Sequence, residues 1–217
     1  GSSRFADGHR WGFFPSAAFA WRVKDESFLK DVNAISDLKL RLGWGKTGQQ
    51  DTGMEYYTAT YKKSTSEHFL YPIGGSDNNK GTLYRPMAYN DDLTWETTTT
   101  WNFGLDYGMF DQRLVLNFDA YYRKTTDLLS RTGIPSGMNF DNKLWRNAGT
   151  LKNKGFEVAV TGRPIQTKDW FVELSVNAAY NKNKITDLAS GYDMIPADMT
   201  IGQDAQVTYH KVGMPAN

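Results

Sequence analysis

The chain has 217 residues, a formal net charge of +1 and no cysteine. This charge argues against a nucleic-acid partner or an anionic membrane surface held by bulk electrostatics, and the lack of cysteine excludes disulfide frameworks, zinc ribbons and thiol nucleophiles. Aromatic residues make up 14% of the chain while the mean hydropathy is only -0.58, so apolar side chains must be concentrated on particular faces. No apolar run approaches the ~20 residues of a membrane helix, although the strands of a membrane β-barrel need none.

The beginning of the chain predicts two strands separated by a short helical segment. Residues 11–22 alternate bulky apolar with small side chains, as a strand does. Pro15 lacks the N–H that a sheet requires, which indicates a bulge or an edge position there. Residues 25–33 predict one or two helical turns, and residues 38–46 predict the next strand. The second face of that strand carries cations, so we expect it to contact water.

The most regular stretch is residues 92–114, in which one face is apolar and aromatic and the other is polar. At ~3.3 Å per residue its strand would be ~40 Å long, well beyond the ~17–20 Å common in globular proteins. A turn at residues 109–112 leads into an alternating strand at residues 114–124. Two more strands are predicted, at residues 155–163 and 170–180 around a short turn, and a last one begins near the end of the chain. The predicted long loops are residues 49–91, 125–151 and 183–206.

Two features distinguish an outer-membrane β-barrel from a soluble β-sandwich: the alternating lengths of the connections and the height of the apolar band. An outer-membrane barrel has short periplasmic turns and long extracellular loops. Residues 170–180 are aliphatic in the middle and aromatic at both ends, and at a tilt of ~40° they would span the ~25 Å lipid-facing band of a barrel. We therefore predict an all-β fold, an antiparallel transmembrane β-barrel segment. The alternative is a soluble β-sandwich, which turns the same apolar face inward.

Several motifs follow one another in an order typical of a known family. They are Gly12-Phe13-Phe14-Pro15-Ser16, Ala20-Trp21-Arg22, Leu38-Lys39-Leu40-Arg41, Lys46-Thr47-Gly48-Gln49, Leu93-Thr94-Trp95-Glu96-Thr97-Thr98, Asn102-Phe103-Gly104-Leu105-Asp106, Asp119-Ala120-Tyr121-Tyr122, Thr126-Asp127-Leu128-Leu129, Asn147-Ala148-Gly149, Asn153-Lys154-Gly155-Phe156-Glu157 and Asn181-Lys182-Asn183-Lys184-Ile185. Together they resemble the barrel of the SusC/RagA family of TonB-dependent outer-membrane transporters. Each motif alone is weak, but the ordered set extends over nearly the whole chain.

The resemblance implies a fold, a function and a set of partners. Family members are several times longer and combine a 22-stranded barrel with a plug domain and an N-terminal segment that contacts TonB. Residues 1–217 are then expected to be an internal portion of the barrel domain, without the plug or the N-terminal segments. The implied function is TonB-energised import of a glycan or a peptide, with a SusD-like surface lipoprotein as a lid. The remainder of the same barrel and membrane lipid complete the expected partners.

Motifs for catalysis, metal binding or cofactors have no support. Residues 43–48 match GxGxxG, but the loop that follows offers no helix to direct its N-terminus at a phosphate. The histidines are isolated, and no nucleophile elbow GxSxG is present. The polar positions of the strands predict a water-exposed wall rather than a ligand site. These positions are Lys39, Arg41, Glu96, Asp106, Asp119, Arg123, Glu157 and Glu173.

Loop aromatics are the best candidates for ligand binding. A tyrosine combines a flat apolar face with a hydroxyl group, which suits both the C–H face and the hydroxyl rim of a sugar. The alternative is that these rings pack the loops together or contact a partner protein. The candidates are Tyr56, Tyr57, Tyr61, Tyr71, Tyr84, Tyr89 and Trp145.

Two rival functions remain at this point. One is a soluble or surface-anchored β-sandwich that binds carbohydrate without forming a channel, which would fold in plain buffer without detergent. The other is a passive porin, which a plug domain encoded upstream would exclude.

Overall fold

The largest element of the fold is a six-stranded sheet. The computed structural model describes residues 1–52, 56–63, 70–72, 80–82, 84–135, 143–188, 194–196, 200–201, 205–206 and 209–216. The strands are β1 (Ser16–Arg22), β2 (Ile35–Gln49), β3 (Glu96–Met109), β4 (Leu114–Thr126), β5 (Thr150–Gln166) and β6 (Phe171–Asp187). Their order in the sheet is their order in the chain, and the pairs β1–β2, β3–β4, β4–β5 and β5–β6 are antiparallel. This confirms the predicted all-β, antiparallel fold.

The short connections lie at one end of the sheet and the long ones at the other, as predicted. Residues 110–113 join β3 to β4, and Phe110, Asp111 and Gln112 adopt positive φ angles of 52°, 55° and 64°. Residues 167–170 join β5 to β6. The long connections from β2 to β3 and from β4 to β5 leave from the opposite end, where β2 and β4 end.

The helical turns predicted at residues 25–33 form only in part: the Lys30 and Leu29 N–H groups donate to the Glu26 carbonyl oxygen at 2.8 and 2.9 Å, but no α-helix forms there. The structure has a 3-10 helix at Val23–Asp25, and a turn follows. The Lys24 ammonium group donates hydrogen bonds to the carbonyl oxygens of Leu29 at 2.9 Å and Val32 at 2.8 Å. The same two carbonyl oxygens also accept hydrogen bonds from the Val32 N–H at 3.1 Å and the Ile35 N–H at 3.2 Å, so isolated turns and the Lys24 side chain together hold this segment.

Strand ends also differ from the prediction. The strand predicted at residues 11–22 begins only at Ser16, because Pro15 cannot donate to the sheet, although its carbonyl oxygen accepts a hydrogen bond from the Lys46 N–H at 2.9 Å. Strands β5 and β6 extend well beyond the predicted residues 155–163 and 170–180. Their extra residues are mainly polar, so apolar alternation could not reveal them.

One face of the sheet is apolar and uncovered. The register aligns Phe103 with Ala120, Ala120 with Phe156, and Phe156 with Tyr180, which puts these side chains on a common face. The side chains of this face remain accessible, and no second layer of the described residues covers them. Their exposed fractions include 57% for Trp101, 39% for Phe103, 65% for Leu174 and 71% for Val176.

The opposite face is polar and is held by ion pairs. Arg41 on β2 makes a two-pronged contact with the Asp106 carboxylate on β3 at 3.0 and 2.9 Å. The same guanidinium group lies 3.0 Å from the Asp119 carboxylate on β4. At the short-turn end Arg163 pairs with Glu173 at 2.7 Å. These contacts join strands across a surface that the sequence predicts to face water.

Short strand pairs occur within the predicted long loops. The pairs are Tyr61–Lys63 with Tyr84–Pro86, Leu70–Pro72 with Lys80–Thr82, Leu129–Gly133 with Lys143–Asn147, Met194–Pro196 with Tyr209–Lys211, and Thr200–Ile201 with Ala205–Gln206. They are too short for a periodic pattern to show in the sequence.

The chain forms two compact units. The loop unit consists of residues 1–12, 49–96 and 127–148, and the sheet unit of residues 13–48, 97–126 and 149–217. Phe5 and Leu93 are fully buried in the loop unit, and the Phe5 ring lies 5.3 Å from that of Trp95. The described residues contain no helix with the length and apolar character needed to cross a bilayer.

Candidate functional site

An aromatic pair in the loop unit joins two of the predicted site residues. The ring centroids of Tyr56 and Trp145 lie 5.6 Å apart, and the ring planes are inclined by 36°. Asn90 fixes both partners: its N–H donates to the Tyr56 carbonyl oxygen at 2.8 Å, and its side-chain amide donates to the Trp145 carbonyl oxygen at 3.0 Å. Both rings are half-buried. The pair therefore has a defined position although it comes from two separate loops.

A second aromatic pair is more exposed. Tyr61 lies opposite Pro86 and Tyr84 lies opposite Lys63 in a short two-stranded sheet. Because Tyr84 and Pro86 are two residues apart, the two tyrosines share one face of this small sheet. Their exposed fractions are 70% and 65%. This pair offers two accessible aromatic faces and two hydroxyl groups to a ligand or a partner.

The remaining predicted residues join neither pair. Tyr89 is 50% exposed, in the segment just before Asn90. Tyr57 is half-buried in a turn. Tyr71 lies opposite Gly81 in a short strand pair, and its side chain is outside the part that the structure describes. Within the described chain the candidates thus form two pairs and not one cluster.

Asn147 organises the loop unit in a way that sequence reasoning did not predict. Its side-chain amide donates to the carbonyl oxygens of Thr94 at 2.8 Å and Asp127 at 3.0 Å, and its carbonyl oxygen accepts from the Thr94 N–H at 2.8 Å. Asn90 has a similar role beside the first aromatic pair. The sequence signal that could have indicated this role is the presence of asparagine in a turn-rich segment. The short side-chain amide of asparagine often forms hydrogen bonds with nearby backbone groups.

The side chains of these surfaces offer apolar ring faces and a few hydrogen-bonding groups. The Trp145 indole N–H is buried and has no acceptor among the described residues. The rings around it offer apolar faces, and the tyrosines add hydroxyl groups. In the described part of the chain no three side chains of the metal-ligating kinds come together. The surfaces suit a neutral ligand with both apolar and hydrogen-bonding groups.

Comparisons with known proteins agree on the family. The family model described as "TonB dependent receptor-like, beta-barrel" matches residues 1–211. The TonB-dependent receptor SusC of Bacteroides thetaiotaomicron is 46% identical over the whole chain, which covers 22% of SusC. The TonB-dependent receptor P3 of Formosa agariphila is 37% identical over 89% of the chain, which covers 19% of that receptor.

A solved structure gives the same result. The RagAB peptide importer in its closed-closed state superposes with a TM-score of 0.79 at 30% identity, over 98% of this chain and 22% of the importer chain. The chain thus spans about a fifth of the length of the relatives that it matches. TonB-dependent receptors are not enzymes, which confirms the prediction that this chain is not one. The chain belongs to the TonB-dependent receptor β-barrel family, and its location is the bacterial outer membrane.

Proposed function

We propose that this chain forms part of the barrel wall and loops of a TonB-energised importer of glycans or peptides. The observation that supports this most strongly is a sheet with one uncovered apolar face and one ion-paired polar face in a chain of this family. The apolar face would contact lipid, and the polar face would line a water-filled interior. Residues 1–217 would be an internal portion of a 22-stranded barrel, and the remainder of that barrel would pair with β1 and β6.

The other partners follow from the same proposal. A SusD-like surface lipoprotein would cover the extracellular side, and TonB would act through a plug domain. A passive porin would import equally well in cells without TonB. Uptake that disappears when TonB is removed would therefore support the importer, and unchanged uptake would exclude it.

The two aromatic pairs are the proposed contacts for the imported ligand. The RagAB complex is described as a peptide importer, which favours a peptide, whereas the faces of tyrosine and tryptophan rings also suit a sugar. The exposed pair of Tyr61 and Tyr84 is the better placed to contact a ligand without rearrangement.

Removing both exposed rings should impair ligand capture. In the full-length protein, Tyr61→Ala with Tyr84→Ala is expected to weaken ligand binding by about tenfold, which corresponds to ~1.4 kcal/mol. The measurement is uptake and surface binding of fluorescent oligosaccharides and peptides by intact cells. Tyr209→Ala is the control, because Tyr209 is also exposed but belongs to the sheet unit. Unchanged binding and uptake in the double variant would show that these tyrosines are not part of the ligand site. That result would not affect the importer proposal, which the removal of TonB tests separately.

A further inference from the structure

We propose that a cluster of lysines on the outward face of the sheet, at its long-loop end, binds phosphate-bearing lipid headgroups of the outer leaflet. The lysine cluster consists of Lys124 on β4, Lys152 and Lys154 on β5, and Lys182 and Lys184 on β6. The proposal uses the outer-membrane location of the chain and is independent of the imported ligand.

Strand alternation puts the lysine cluster on the lipid-facing side. On β6 the outward positions continue from Tyr180 to Lys182 and Lys184. On β5 they continue from Phe156 to Lys154 in the antiparallel direction, and the next outward residue is Lys152. The apolar band therefore ends in an aromatic row, and lysines follow directly beyond it. This end of the sheet carries the long connections, which in outer-membrane barrels are extracellular.

The strand register puts these like charges side by side. Lys154 is directly opposite Lys182, and Lys152 is directly opposite both Lys184 and Lys124. Like charges at such positions destabilise a sheet. No ion pair joins any of these lysines to a carboxylate within the described residues, and all but Lys152 are exposed. An external anion would remove the repulsion.

The neighbouring surface indicates that the anion belongs to a lipid. A shallow groove on the same face is lined by Phe118, Tyr122, Lys154, Phe156 and Tyr180. An acyl chain can lie along its aromatic part while a phosphate reaches Lys154. Free phosphate would use only the lysines and would gain nothing from the aromatic residues. Basic residues at a membrane surface also attract anionic lipid individually.

The decisive experiment titrates the purified full-length protein in phosphatidylcholine nanodiscs. The probes are diphosphorylated lipid A, fully dephosphorylated lipid A and inorganic phosphate, and native mass spectrometry counts bound lipid. We expect the unmodified protein to bind the diphosphorylated form about tenfold more tightly than the dephosphorylated form. The preference should weaken as salt rises, because four of the five lysines are exposed and are screened by ions.

The variant Lys152→Gln, Lys154→Gln, Lys182→Gln, Lys184→Gln should lose this preference, whereas Lys39→Gln on the polar face should keep it. Equal preference in the quadruple variant and the unmodified protein would overturn the proposal. Competition by inorganic phosphate at concentrations equal to the lipid would also overturn it, because the anion would then be a free ion. If the quadruple variant does not fold, the salt dependence of lipid binding by the unmodified protein provides the test. A preference for phosphorylated lipid that is insensitive to salt would contradict the proposal.

Discussion

Replacing Val176 with arginine is expected to destabilise the full-length protein in a lipid bilayer by about 2–4 kcal/mol. Val176 lies in the middle of the apolar stretch of β6, directly opposite Val160, and its side chain is exposed on the uncovered face. If that face contacts hydrocarbon, the arginine must be moved from water into lipid or must distort the bilayer around it. The measurement is urea unfolding of the protein inserted in phosphatidylcholine vesicles.

Asn177→Arg is the matched control for this substitution. Asn177 is the next residue of the same strand and lies opposite Ala159 on the polar face. Its replacement is expected to change the free energy of unfolding by no more than about 0.5 kcal/mol, as at other water-exposed positions. Equal losses for the two variants, or a larger loss for Asn177→Arg, would mean that lipid does not contact the face that carries Val176.

Replacing Gly155 with alanine is expected to destabilise the protein by about 1–3 kcal/mol, because the added Cβ atom would collide with atoms of two neighbouring strands. A Cβ atom on Gly155 would lie 2.7 Å from the Tyr121 hydroxyl oxygen, and it would also press on the Tyr180 carbonyl oxygen. The second contact is with backbone, which cannot rotate away. Glycine in a strand commonly marks such a close approach.

Gly162→Ala tests the same change on the same strand without the contact. A Cβ atom at Gly162 would meet nothing within 4 Å. Alanine there should leave the free energy of unfolding unchanged or raise it by about 0.5 kcal/mol, since glycine is the more flexible residue in the unfolded chain. Both variants would be compared by urea unfolding in vesicles. A result in which Gly155→Ala is as stable as Gly162→Ala would refute the tight packing at Gly155.

The strands and their faces could be predicted from the sequence because alternation is a local property. The long stretch around Trp101 and Phe103 predicts both the strand and the face that stays uncovered. The polar ends of β5 and β6 could not be predicted, because Asn153 and Asn183 pair through backbone whatever their side chains are. The helical prediction is confirmed only as isolated turns, and no periodicity encodes the additional bond from Lys24 to the Leu29 carbonyl oxygen.

The candidate site was predictable only in composition. Tyrosine-rich loops indicated where a ligand could bind, but the contact between Tyr56 and Trp145 joins residues far apart in the chain. Asn90 and Asn147 fix these loops through bonds to distant backbone atoms, and such bonds depend on the folded arrangement. A sequence pattern can show which residue types are present, and the tertiary fold decides which of them meet.

Contact between the apolar face and lipid chains is the central claim, and brominated lipids test it most directly. Because the chain has no native cysteine, a fluorophore can be attached at single positions of the full-length protein, on a background without other cysteines. We expect brominated acyl chains to quench probes at Leu174 and Val176 strongly and probes at Ser175 and Asn177 weakly. Equal quenching at all these positions, or stronger quenching at Ser175 and Asn177, would contradict the orientation of the sheet and the barrel that it implies.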